Sequence, residues 1–291
     1  MNINCPHCAK QPDYVSDFRT TVRFGVFHRK SDSRYLKRFR CLRCKKTFSE
    51  ASEDPCFRQK KRQKNKMLTE LLASGVSQRR AARLLRINRT TVARKLIFLG
   101  RLFNEKLSFE NAFLKVREFQ FDDLETFEHS KCKPLSVTLA VTRERHILGF
   151  RVAQMSPKGR LTKKSLKLYG RRHDERSQRR KALFKELQPI VIDGALIQSD
   201  SNPYYKDDVR RFFPNCHHVT VLGERGAITG QGELKKVGFD PLFSLNHTCA
   251  MFRANVCSLI RKTWCTTKKK DRLTDRLSIY AYYHNQNLIV V

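Results

Sequence analysis

Three observations predict a multidomain chain: a small cysteine-stapled ribbon, an all-α unit and an α/β domain, in that order. Two CxxC pairs stand near the N-terminus, Cys5 to Cys8 and Cys41 to Cys44. Short amphipathic helices broken by Gly75 and Asn88 follow. The C-terminal two-thirds changes to period-two alternation with acidic residues at strand ends. The expected boundaries are 1–52, 53–105 and 106–291.

Each CxxC turn lets two thiolates converge on one ion, and two turns complete a tetrahedral sulfur site of the kind zinc favours. Residues 20–27 and 35–39 read as strands between the pairs, which makes the first segment a zinc ribbon with Cys5, Cys8, Cys41 and Cys44 as ligands. Four thiolates close the coordination shell, so the zinc is structural rather than catalytic. A core this small needs such a staple to fold. His7 and His28 read as surface histidines.

The run Arg58 to Lys66 is strongly basic and reads as a linker or a contact to phosphates. Met67 to Ser74 forms an amphipathic helix stopped by Gly75. Ser77 caps a second helix with small Ala81 and Ala82 inside. Asn88 caps a third, from Arg89 to about Leu99, with Val92, Leu96 and Leu99 inward. This is the order of a helix-turn-helix. Residues early in its last helix meet base edges. Arg89, Thr90, Thr91, Arg94 and Lys95 are therefore expected to face DNA, with Arg79 and Arg80 near phosphates.

In the last segment 116–121, 135–142 and 147–153 read as three antiparallel strands, with a hairpin turn at 143–146. A basic, partly helical stretch follows from 158 to 185. Strands at 195–199 and 218–222 flank a helix that Asn202 caps and Pro203 opens. Helices over 245–264 and 271–284 end the chain. Such an order suits an α/β sheet of the ribonuclease-H type. Phe119 and Phe121 share one face of the first strand, while Gln120 and Asp122 share the other. Asp122 rather than Asp123 thus points away from the apolar side. Asp200 ends the adjoining strand, so the two carboxylates are expected to meet and chelate divalent ions. On the helix from 245, a stripe through Leu245, Cys249, Phe252, Val256, Leu259 and Thr263 packs on the sheet, and Asn246 and Arg253 share the neighbouring stripe.

Composition bears on the partner. Sixty Lys and Arg against 27 Asp and Glu give a net charge of +33. Such a chain seeks a polyanion, and its affinity should fall steeply with salt. A ribosome-associated basic protein is the competing class, and no aromatic stacking motif supports it. Neither a secretory segment nor a membrane span is legible, which points to the cytoplasm. There the ten cysteines are expected to be thiols or metal ligands.

Together CPHC, CLRCKKTF, QFDDLETF around Asp122, QSDSNPYY around Asp200, and NHTCAMFRANVCSLIRKTW from Asn246 resemble bacterial insertion-sequence transposases of the ISXO-like group. That resemblance implies a DDE-type domain in which Asp122, Asp200 and Asn246 hold Mg²⁺ or Mn²⁺ and Arg253 attends the phosphate. It departs at the third acidic position, which is Asn246 here. Glu224, Glu233 or Asp240 are the nearby acids that could supplement it. It further implies recognition of the element's terminal inverted repeats by the zinc ribbon and the helix-turn-helix, double-stranded DNA as partner, a homodimer or higher assembly on DNA, and association with the nucleoid. A catalytically decayed, DNA-binding regulator shares every N-terminal feature and is the alternative.

Overall fold

A computed structural model describes residues 3–11, 20–30, 32–222, 240–260 and 265–289. The chain divides into two compact units, Met1–Lys66 and Met67–Val291.

The first unit is a three-stranded antiparallel sheet of β1 (Thr21–Arg29), β2 (Arg34–Cys41) and β3 (Thr47–Ser49), in that order. Both expected strands are present and longer than expected. The register shifts between Arg23 and Val26, where Gly25 has φ +87°. A β-bulge there suits glycine because the left-handed region carries no side-chain penalty for it. The core consists of Cys5, Cys8, Cys41 and Phe48, backed by Ile3 and Phe39. Arg62, in the 3-10 turn Arg62–Lys64, donates to Asp32 at 2.5 Å.

The second unit opens with α1 (Asn65–Ala73), α2 (Gln78–Leu85) and α3 (Arg89–Asn111). Its sheet has β4 (Val116–Phe127), β5 (Pro134–Val141), β6 (Ile147–Gln154), β7 (Val191–Asp200) and β8 (His217–Val221). The order is β6-β5-β4-β7-β8. β4, β5 and β6 pair antiparallel, whereas β7 pairs parallel with β4 and β8, so the sheet is mixed. Between the strands and after them come α4 (Leu161–Tyr169), α5 (Arg176–Leu187), α6 (Pro203–Phe212), α7 (Phe243–Asn255) and α8 (Lys270–Asn287).

Strand alternation gives the sheet two apolar faces. Phe119 and Phe121 of β4 join Leu183 and Phe184 of α5 and Tyr205 and Val209 of α6. Leu124, Val137 and Leu139 join Leu245 and Phe252 of α7 and Leu273, Leu277 and Tyr280 of α8. With both faces covered, β5 is buried at every position after Pro134, and six of its eight residues are apolar.

Two expectations need correction here. The compact units divide at Lys66, and the third helix, expected to end near Leu99, runs on to Asn111. Asn111 donates to the carbonyls of Ile147 and Leu148, and Ile279 of α8 completes the core of α1 to α3. The three helices thus share one unit with the sheet. The helix expected over 245–264 ends at Asn255, with Val256 extended at φ −102°, ψ 101°. Val256, Cys257, Ser258 and Leu259 are all buried in succession. A one-faced helix cannot bury four consecutive residues, and a turning segment can. Thr263 and Trp264 lie outside the described residues.

Gly100 marks the tightest helix crossing. A Cβ there would lie 2.5 Å from Asp275 Cβ and 2.6 Å from its Cα, so α8 backbone would have to move. Gly100→Ala is expected to cost about 3 kcal/mol, on the order of 10 °C in Tm. A thermal melt of the variant that matched the parent's would show that α3 and α8 do not cross this closely.

Candidate metal centres and nucleic-acid surface

In the first unit the four cysteines predicted as ligands converge. Their sulfurs all lie within 4.8 Å of one another. Cys5 Sγ is 3.6 Å from Cys44 Sγ, and Cys8 Sγ is 3.8 Å from Cys41 Sγ. A tetrahedron with metal–sulfur bonds of about 2.3 Å has edges of about 3.8 Å. The cage therefore fits a zinc ion, and its donor set is of the kind zinc prefers. Burial pushes the Cys41 thiol up, yet the backbone N–H groups of Cys44 and Arg43 hold it down at about 7. Cys44 N donates to Cys41 Sγ at 3.4 Å. Burial raises Cys8 to about 12, assisted by the neighbouring thiols. His7 and His28 are exposed, and neither joins the four sulfurs, although the His7 backbone N–H donates to the Cys5 sulfur.

In the second unit the helix caps form as read. Ser77 Oγ accepts from Arg80 N at 3.3 Å, and Asn88 Oδ1 accepts from Thr90 N at 2.8 Å. Arg79, Arg80, Arg89, Thr90 and Arg94 are exposed, and Thr91 is half-buried. Among the described residues no carboxylate pairs with any of these four arginines. Lys95 is corrected: it is only 3% exposed. It follows Val92 by three residues and precedes Leu99 by four, so helix geometry puts it on the inward stripe whatever its charge.

The acidic site is built by strand register. β4 and β7 run parallel, and Phe121 pairs with Ser199. Asp122 and Asp200 come next on each strand; Asp200 ends β7, whereas β4 continues to Phe127, paired with β5, so Asp122 stands mid-strand and not at the strand end expected for it. Burial and then the Asp200 charge push the Asp122 carboxyl up to about 7, although the Tyr205 hydroxyl donates to its Oδ1 at 3.1 Å. Burial also raises Asp200, with the Asp123 charge adding to it and the Asn202 N–H opposing it. Asp123 accepts from Thr138 Oγ1 of β5 at 2.5 Å, and its charge acts on both Asp122 and Asp200. It borders a cavity of about 220 Å³ with Arg176, Arg180 and Tyr204.

α7 approaches the pair from the other face. Gln120, two residues before Asp122, clamps its start: Oε1 accepts from Leu245 N at 3.0 Å, and Nε2 donates to Pro241 O at 2.8 Å. Asn246 is exposed, and its Nδ2 donates to Asp240 Oδ2 at 2.9 Å. It does not cap the helix, because Leu242 holds that position. Asp240 is thus the acid beside Asn246, while Glu224 and Glu233 lie outside the described residues. Cys249, one turn on, is a residue the sequence reading assigned to the core alone. Burial and the Asp122 charge push its thiol up to about 12, and Arg253 opposes them. Cys249 therefore lies electrostatically between Asp122 and exposed Arg253. Its spacing of three from Asn246 and four from Arg253 was the available signal.

The structure brings Asp122 and Asp200 together and sets Asn246 against Asp240. Among the described residues, no other group of three or more Asp, Glu, His or Cys converges as the four cysteines do. No described helix is long and apolar enough to cross a membrane. No protein-family model matches the chain, and no curated protein matches it.

Proposed function

We propose that the chain is a DNA transposase whose second unit contains a ribonuclease-H-like catalytic domain. The observation that carries the reading is the pair Asp122 and Asp200, two carboxylates on adjacent parallel strands, the charge of Asp200 acting on the buried Asp122. Two partly buried acids whose charges repel are poorly solvated without a cation. Their oxygens, with the Asn246 carbonyl, form a hard donor set suited to Mg²⁺ or Mn²⁺. Bound there, such ions would activate an attacking hydroxyl and stabilise the leaving oxygen in phosphoryl transfer.

The chain's own groups have separate tasks. Tyr205 holds Asp122 in place through its hydroxyl. Gln120 fixes the start of α7 to β4 and so sets the position of Asn246. Arg253 attends the phosphate from the same helix. Arg79, Arg80, Arg89, Thr90, Thr91 and Arg94 recognise the ends of the element as a helix-turn-helix does. Paired ends require at least two copies on DNA.

A second reading is a decayed transposase retained as a DNA-binding regulator. It is favoured by one observation: the third position is a neutral Asn whose amide is occupied by Asp240. The discriminating experiment is strand transfer on labelled duplexes that carry the DNA flanking the gene, with Mg²⁺ or Mn²⁺. Joined products are expected. Firm binding of those ends with no cleavage or joining under either metal would support the regulator.

A further inference from the structure

The first unit carries a surface that the metal cage does not use. β3 pairs only with Arg38 to Arg40 of β2. From Val26 and Lys37 to Arg29 and Arg34 the sheet is a two-stranded ribbon. β1 is exposed at every position from Val22 to His28. Alternation places Cys41 and Phe39 on one face of β2, and Leu36, Arg38 and Arg40 on the other. Cross-strand pairing adds Val22 and Phe27 to that second face. Phe24 joins them, with the guanidinium carbons of Arg38 and Arg40 at 5.6 and 5.8 Å from its ring centre.

This face is apolar and cationic at once. Val22, Phe24 and Phe27 are 40%, 44% and 38% exposed. Residues 21–41 hold seven Lys or Arg and a single acid, Asp32. Asp32 is engaged by Arg29 and Arg62. Among the described residues no carboxylate pairs with Arg34, Lys37, Arg38 or Arg40. Cations interleaved with rings on a protruding ribbon match a polyanion that also offers apolar edges.

We propose that the β1–β2 ribbon enters the major groove of duplex DNA with this face, as a second contact beside the helix-turn-helix. It rests on the DNA-binding part of the proposed function. A major groove about 12 Å wide admits a two-stranded ribbon. Arg38 and Arg40 meet phosphates or guanine edges, and Val22, Phe24 and Phe27 meet thymine methyls. Duplex is favoured over single strands by one detail. The Phe24 ring already carries two guanidinium groups, which compete with a base for its surface, and stacking is what single strands require.

The test uses the full, zinc-loaded chain and its Arg38→Gln/Arg40→Gln variant. The probes are a 30-base-pair duplex from the gene's flank, the same sequence as a single strand, and an RNA hairpin. Duplex affinity is expected to fall about tenfold or more, with the slope of log K against log salt shallower by about 2. Retained zinc and an unchanged circular dichroism spectrum verify the fold. If that variant loses zinc, Arg34→Gln on the same face of the ribbon takes its place, with a smaller loss expected and the slope shallower by about 1. Unchanged duplex binding by a folded variant, while Arg89→Ala/Arg94→Ala abolishes it, overturns the ribbon proposal and leaves the transposase reading standing. A larger loss on the single strand or on RNA than on duplex also overturns it. Absence of strand joining by the parent chain sinks the catalytic reading alone.

Discussion

Alanine at Asp122 or at Asp200 is expected to eliminate joined DNA products, a loss of about 10³-fold or more. Asparagine in place of Asp122 is expected to do the same while making the metal-free protein more stable above pH 7. The second effect has a definite sign. Asp122 titrates at about 7 in the folded chain against an ordinary 3.8. Between these values the folded state binds a proton that the unfolded state has lost. Stability therefore falls as pH rises through that window and stays low above it. The shift corresponds to at most about 4 kcal/mol, at about 1.4 kcal/mol per pKa unit. Asp200 is displaced in the same direction and adds to the trend.

The Asp122→Asn variant has no charge to bury at this position, so its melting temperature should exceed the parent's at pH 8, by up to about 10 °C, and converge with it near pH 4. Mg²⁺ should raise the parent's melting temperature at pH 8 and leave the variant's nearly unchanged, because a cation relieves only a repulsion that exists. Other titrating groups cancel in the comparison of the two chains. Identical parent and variant melts from pH 5 to 8, in the absence of metal, would mean that the two carboxylates do not crowd each other. Joining activity that survived Asp122→Ala would remove this pair from the chemistry.

The features legible in the sequence are those set by local geometry. Two CxxC turns announce four convergent sulfurs because a turn of that size leaves few alternatives. Ser77, Asn88 and Asn202 cap their helices as read, since a cap needs only its own next residues. Strand alternation assigns Asp122 and Asp123 to opposite faces; Asp122 accepts from the Tyr205 hydroxyl and Asp123 from that of Thr138. What escaped depends on partners distant in sequence. Lys95, expected among the outward positions of α3, is buried, as its spacing from Val92 requires. Gln120 binds Pro241 and Leu245, more than a hundred residues away. Gly100 shows its purpose only when α8 crosses it. The aromatic and arginine face of the ribbon has the same origin. Phe24 and Arg38 carry no signal along the chain and become neighbours only when β1 and β2 pair. Four buried residues in a row at 256–259 mimic the end of an amphipathic helix in sequence and are a turn in space.

Removing zinc is expected to unfold the first unit and spare the second. Among the described residues of the first unit, the buried apolar cluster contains three of the four cysteines and Phe48, with Ile3 and Phe39 half-covered, and only Leu36 and Ala51 are buried apolar residues besides. So few groups cannot offset the conformational entropy of ordering three strands. Metal binding supplies the difference, about 10 to 16 kcal/mol for structural zinc in small domains. The second unit draws on separate clusters along both faces of its sheet and around α1 to α3, none of which includes a residue of the cage. Native mass spectrometry should find one zinc per chain. After chelation, amide exchange should become fast throughout β1, β2 and β3, while β4, β5 and β7 keep their protection. Cys8→Ser should behave like chelation, and added zinc should reverse the chelated state but not the substitution. Protection in β2 that persisted without metal would show that the sheet folds on its own and that the four sulfurs converge for another reason. The same samples separate the two DNA surfaces. If the ribbon contacts DNA only when its strands are paired, chelation should lower duplex affinity by about as much as Arg38→Gln/Arg40→Gln does, and the two losses should not add.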